Sequence, residues 1–235
     1  MKVIITILFF SLQSIVVLAQ NDSSQLVKYS PDFIFTEGIY LNFLQVKNNK
    51  PIQKARILSN DNLNDFNFFK NLVDKQMVFY YDEMGIRQEV NTNKIWGYSK
   101  NGALFINYNG DYNRIPVIGS ICHFISNVTV TTDNFDRFND PYYYDRYGFG
   151  NYYNPYYSNY YPTRSSRNEM KQYLLDFSTG QIVDYNRTNV EVLLMADSEL
   201  YDEYQGLKRR KKKQMMFYYL RKYNEKHPLF FSINE

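Results

Sequence analysis

The chain has 235 residues, 18% of them aromatic, and its 27 Lys and Arg against 24 Asp and Glu leave a formal charge of only +3. That near balance excludes a global preference for polyanionic partners, and a lone cysteine, Cys122, excludes an internal disulfide. Stability must therefore come from a hydrophobic core, for which a chain of this length suffices.

At the N-terminus, Met1-Lys2 precedes an apolar stretch from Val3 to Leu18 that is interrupted only by Thr6, Ser11, Gln13 and Ser14. Val17-Leu18-Ala19 then offers a cleavage site before Gln20. This order of positive, apolar and small-residue regions predicts a signal peptide over residues 1–19, hence an exported protein that works in the periplasm or outside the cell. A spanning helix needs about 20 apolar residues. The N-terminal run is shorter and polar-spotted, and no other window approaches that length, so no transmembrane span is expected.

Residues 20–30 are polar and read as a flexible lead-in. Phe33 to Val46 is strand-like, with alternation over Gly38–Phe43, and ends at the turn Asn48-Asn49-Lys50-Pro51. From Asp61 the spacing of Leu63, Phe66, Phe69, Leu72 and Val73 predicts a short helix capped by Asn60 or Asp61. Six β-rich runs follow: Met77–Tyr81, Ile86–Val90, Ile95–Tyr98, Ala103–Tyr108, Tyr112–Ile118 and Ile121–Val130. Short turns separate several of them, among them Asn101-Gly102 and Asn109-Gly110, whose type I′ geometry needs two positive φ angles. Such connections make antiparallel neighbours, a meander that either stays open or closes into a small barrel. Pro116 belongs at an edge or bulge, since it cannot donate to a ladder.

After residue 132 the composition changes. Residues 133–166 form a Tyr/Asn-rich low-complexity segment, within which Tyr142, Tyr143, Tyr144, Tyr147, Phe149, Tyr152, Tyr153, Tyr156, Tyr157, Tyr160 and Tyr161 alternate with Asn, Gly, Pro and Asp. It shows neither strand nor helix period, so it builds no core of its own. Its plain interpretation is a long loop. Its functional interpretation is a partner-binding surface, because tyrosine offers a large, fairly rigid face with a polar tip suited to sugars, peptides or other aromatic loops.

Residues 167–235 complete the same domain as residues 31–132. Gln172–Phe177 and Gln181–Tyr185 predict a hairpin around Ser178-Thr179-Gly180. A short helix starting with a capping box at Thr188 and Glu191 follows. A long one then runs from Asp197 to about Lys226, acids crowding its start and bases its end, as the helix dipole favours. His227-Pro228 stops it. Inside it lies Lys208-Arg209-Arg210-Lys211-Lys212-Lys213. These six residues sweep all round a helix, so the segment must project or lay its lysine stems along apolar surface. They form either a solvated basic turn or a contact for an anionic surface.

No motif specifies a reaction, and no cofactor is called for. Cys122 and His123 are neighbours on a strand and so point to opposite faces. Gly119-Ser120-Ile121 lacks the second glycine of a nucleophile elbow. Carboxylates are numerous without a spacing that selects a pair, which leaves an envelope hydrolase as the weaker alternative. Asn127 and Asn186 head N-glycosylation acceptor patterns. Arg146-Tyr147-Gly148-Phe149-Gly150 departs from the RNA-recognition signature, and export argues against a nucleic-acid partner.

Three blocks, Glu37–Phe43, Ile95–Tyr98 with Ile118–Phe124, and Leu220–Leu229, resemble those of uncharacterised exported bacterial proteins of the Bacteroidota type. The resemblance spans most of the chain outside the tyrosine-rich insert. It implies a periplasmic or envelope setting and carries no activity. The expectation is an α+β fold: an antiparallel meander with a short N-terminal helix and a C-terminal helical pair. The expected role is non-enzymatic binding or structure, with an envelope glycan, protein or anionic surface as partner.

Overall fold

The computed structural model describes residues 25–134 and 163–233. The signal-peptide expectation for residues 1–19 and the tyrosine-rich stretch 135–162 lie outside the described residues. In chain order the strands are β1 (Gln25–Lys28), β2 (Gly38–Tyr40), β3 (Ile52–Gln53), β4 (Ile57–Leu58), β5 (Met77–Tyr81), β6 (Arg87–Asn91), β7 (Gly97–Lys100), β8 (Ala103–Tyr108), β9 (Asp111–Arg114), β10 (Ile121–Asn134), β11 (Thr163–Asp176), β12 (Ile182–Asp184) and β13 (Phe230–Ile233). The helices are α1 (Phe43–Lys47), α2 (Phe68–Val73), α3 (Arg187–Leu194), α4 (Ser198–Gln205) and α5 (Arg209–Lys226).

The fold is α+β, with every strand pair antiparallel and helices at the C-terminal end. Strand alternation builds its layers. In β8, Leu104 and Ile106 face one core with Phe124, Tyr173 and Leu175, while Phe105 faces another with Ile39, Phe69 and Tyr98. The five-stranded sheet β3-β2-β7-β8-β9 therefore has both faces covered. Its second face packs on α2 and the β4-β5-β6 sheet. The β10-β11-β12 sheet is likewise two-sided. Cys122, Phe124, Tyr173 and Leu175 face the first core, and Ile121 and Leu174 face the helices through Val190, Leu194, Leu200, Tyr204 and Leu220. Burial of these side chains, each contributing about 1.5–3 kcal/mol, holds the layers together.

One side chain ties α5 to the sheet. Asn224 accepts from Ile121 N–H through Oδ1 and donates to Ile121 C=O through Nδ2, both at 2.8 Å, in imitation of a strand partner.

Several expectations need correction. Of the two outcomes left open for the meander, no closed barrel forms among the described residues; its continuity, which was expected, is broken between β6 and β7. There Asn91 accepts from Asn93 N–H and starts a 3-10 turn over Thr92–Lys94 that carries the chain into a different sheet. The strand expected across Gly38–Phe43 ends at Tyr40, because the Asn42 side chain caps α1 by accepting from Gln45 N–H. The helix expected from Asp61 is confined to Phe68–Val73. Asp61 instead engages Ser59 and Lys75, and Phe66 stays 70% exposed. The strand expected across Tyr112–Ile118 stops at Arg114, ahead of Pro116. Part of the lead-in is a strand, since β1 finds its partner in β13 across nearly the whole sequence. Asn186, not Thr188, caps α3, its Oδ1 accepting from Asn189 N–H. The long C-terminal helix is two helices, interrupted at Gly206-Leu207-Lys208, so three helices stand where a pair was expected.

Candidate functional site

Among the described residues the longest strand pair is β10–β11, two strands of 14 residues in continuous register from Ile121↔Asp176 to Asn134↔Thr163. Its base is buried in both cores through Cys122, Phe124, Tyr173, Leu174 and Leu175. Past Val128 it leaves them. Thr129, Thr131, Ser166, Arg167, Asn168 and Met170 are exposed, and among the described residues β12 pairs with β11 only at Tyr173–Leu175. The six pairs from Thr129↔Asn168 to Asn134↔Thr163 thus form a two-stranded ribbon roughly 20 Å long, at about 3.4 Å per residue. The Val128–Thr132 run is β-branched throughout, which favours extended backbone even where no core supports it. Thr129 Oγ1 donates across the ribbon to Asn168 Oδ1 at 3.0 Å, and Arg167 pairs with Glu169. β10 and β11 both reach into the compositionally marked 133–166 segment. Tyr142, Tyr143, Tyr144, Tyr147, Phe149, Tyr152, Tyr153, Tyr156, Tyr157, Tyr160 and Tyr161 lie outside the described residues, between the paired Asn134 and Thr163.

Lys208–Lys213 lies at the start of α5, with Lys208 as its N-cap residue. Lys212 turns inward. Its Nζ bonds Gln205 and approaches Glu191 Oε1 at 3.4 Å, and it lies 5.5 Å from the centre of the Tyr204 ring. Lys208, Arg209, Arg210, Lys211 and Lys213 are exposed.

A cleft of about 1170 Å³ opens between Val27–Thr36, α1, the Pro51–Arg56 stretch and the β5–β6 turn. Its polar side chains are largely engaged in building those turns. Asp82 accepts from the Gln88 side chain and from Ile86 and Met84 N–H, which hold its carboxyl below the usual range. Arg56 Nε donates to Tyr81 C=O, and Asn49 Oδ1 accepts from Thr36 N–H and the Tyr40 hydroxyl. The general acid of a carboxylate-pair hydrolase needs a raised pKa. The shifted carboxylates among the described residues, Asp61, Asp82, Asp197 and Glu203, all go down.

The nucleophile candidates are placed apart. Cys122 is fully buried and its Sγ–H points to Gly119 C=O at 3.2 Å. Burial pushes its thiol up to about 12, so almost no thiolate exists at neutral pH. Native protein is therefore expected to leave Cys122 unlabelled by iodoacetamide over hours, with full labelling in denaturant. Rapid labelling of the native chain, followed by mass spectrometry, would contradict this packing.

His123 emerges on the opposite face, its Nε2 2.9 Å from Gln172 Oε1 and its ring edge-on to Tyr185 and Phe217. Ser120 Oγ donates to the main-chain carbonyl of His227, away from that residue's ring. The ring of His227, the C-cap of α5, meets Asp197 instead, Nε2 to Oδ2 at 2.6 Å. Asp197 also caps α4 through Leu200 N–H at 3.1 Å and takes Lys226 Nζ at 2.9 Å. Sequence spacing placed these charges at opposite ends of one helix. The antiparallel return of α5 along α4 brings them together as a structural clasp.

Among the described residues no group of three or more His, Cys, Asp or Glu converges as metal ligands would, and no helix is long and apolar enough to cross a membrane. No family model, no curated protein and no solved structure matches this chain.

Proposed function

We propose that the chain is an exported, non-enzymatic envelope protein that holds a glycan or protein partner through its tyrosine-rich segment. The observation that carries this reading is the projection of the β10–β11 ribbon past both cores to the paired residues Asn134 and Thr163. A segment inserted between those two residues starts and returns at the ribbon's end. Ten tyrosines within residues 142–161 supply contact area at low entropic cost, with two side-chain torsions each. The N-terminal export pattern and the resemblance to exported bacterial proteins support the envelope setting.

Replacing residues 135–162 by an Asn-Gly turn tests the reading, because that turn suits the twist of the flanking strands. Retention on envelope and purified glycan fractions is expected to fall at least tenfold, about the loss of one or two aromatic hot spots. The melting transition is expected to stay in place. Retention equal to that of the intact chain would remove the segment as the binding element.

A further inference from the structure

The basic run at the start of α5 plays no part in the tyrosine-rich reading, and its setting calls for its own account. Cations at a helix N-terminus oppose the macrodipole, and the first turn of α5 carries no acidic residue to offset them. Two of the three acids of α4 are engaged at the other end, Glu203 with Lys222 and Glu199 with Lys226, and the third, Asp202, is in no ion pair among the described residues. Among the described residues only Lys212 of the six lies within ion-pairing distance of a carboxylate, and its side chain is 11% exposed. Helix stability does not explain five exposed cations here.

The outer face of α5 continues the pattern. Arg210, Gln214 and Tyr218 follow at one-turn spacing, all exposed, with Tyr218 at 51%. Beside them Arg221 stacks on Phe217, 4.9 Å from the ring centre. The one acid in α5 is Glu225, near its far end.

We infer that this end and outer face of α5 form a docking surface for a lipid bilayer carrying anionic headgroups. Cations surrounding the end of a rod suit a planar field of phosphates, and an anionic surface attracts each basic residue within a Debye length. A half-exposed tyrosine two turns further along the same face, apolar in body and polar at its tip, matches the headgroup boundary when that face lies against the bilayer. A duplex groove or soluble polyanion would use the cations and leave Tyr218 idle. None of the residues named in this surface belongs to the 135–162 stretch.

The test uses residues 20–235, which retain every described element, in flotation with phosphatidylcholine vesicles with or without phosphatidylglycerol. Binding only to the anionic vesicles is expected, with weakening as salt rises. Combined R209Q, R210Q, K211Q and K213Q should reduce it at least about tenfold, since each cation is worth about fivefold. Y218S should lower vesicle binding while leaving dextran sulfate binding unchanged. Circular dichroism of both variants verifies that α5 persists, and the charge variant should melt slightly higher because the dipole is relieved. Equal flotation of the charge variant and the parent overturns the inference. So does tight binding to duplex DNA or dextran sulfate without vesicle binding. Deleting residues 135–162 should leave flotation unchanged, which separates failure of this surface from failure of the tyrosine-rich reading.

Discussion

Gly97→Ala is expected to remove roughly 3–5 kcal/mol of stability, a large share of what a domain this size possesses. Gly97 lies in β7, the central strand of the five-stranded sheet, opposite Ile106 on one side and Tyr40 on the other. A Cβ there would come to 2.0 Å from the carbonyl oxygen of Phe105 and 3.1 Å from its carbon. Both atoms are backbone, so relief requires β7 and β8 to part. The consequences spread in both directions. Leu104 and Ile106 would be dragged out of one core, Tyr98 and Phe105 out of the other. Gly206→Ala is the control, since its Cβ would meet the nearest backbone oxygen at an ordinary 3.6 Å. Urea unfolding followed by tryptophan fluorescence reads both, Trp96 being packed beside Phe43 at the edge of the first core. Matching midpoints for the two variants would show that β7 and β8 tolerate separation.

The second large effect is pH-dependent. Lys226, then Leu200 N–H, then His227 hold the Asp197 carboxyl well below the usual carboxylate range. A folded-state pKa below the unfolded value of about 3.9 means that the native state binds the proton less readily. The stability this confers is complete above about pH 5 and drains away as pH falls through 4 toward the folded value. Asp197→Asn keeps an acceptor for the α4 cap, because asparagine caps as well as aspartate, and removes only the charge. The variant is expected to melt several degrees below the parent near pH 6, with the gap beginning to narrow as pH falls below 4. Thermal melts across that range decide it, and a gap that stays constant would mean that the charge is not what Asp197 contributes.

Legibility from sequence followed the range of the interactions involved. Although β7 is shifted to Gly97–Lys100 and β9 stops at Arg114, Asn101-Gly102 and Asn109-Gly110 adopt positive φ at both residues, and β8 between them spans Ala103–Tyr108 as expected. Here a pair of residues holds the whole determinant. The β11–β12 hairpin around Gly180 was readable for the same reason. The pairing of β10 with β11 was not, because residues 135–162 intervene and no local pattern chooses a partner across such a distance. The same holds for β1 and β13. The α4–α5 break escaped notice because apolar spacing continues through Leu207 and only Gly206 marks it. The Asp197–Lys226–His227 clasp shows a further limit. Its members were visible as charges, but their meeting depends on the reversal that the break allows. The basic run is plain in the sequence, yet that Lys212 alone turns inward depends on Tyr204 and Gln205 of the preceding helix.

The pairing of Gln25–Lys28 with Phe230–Ile233 also bears on the order in which the molecule can be completed. A ribosome makes the first of these strands well before the second, with every other described element in between. Until then β1 has no hydrogen-bonding mate, and Phe231 is missing from its place against Phe33, Phe35 and Phe177. Sealing of the aromatic core must therefore wait until Phe230–Ile233 has been made, and a chain lacking that strand would stay open at that seam.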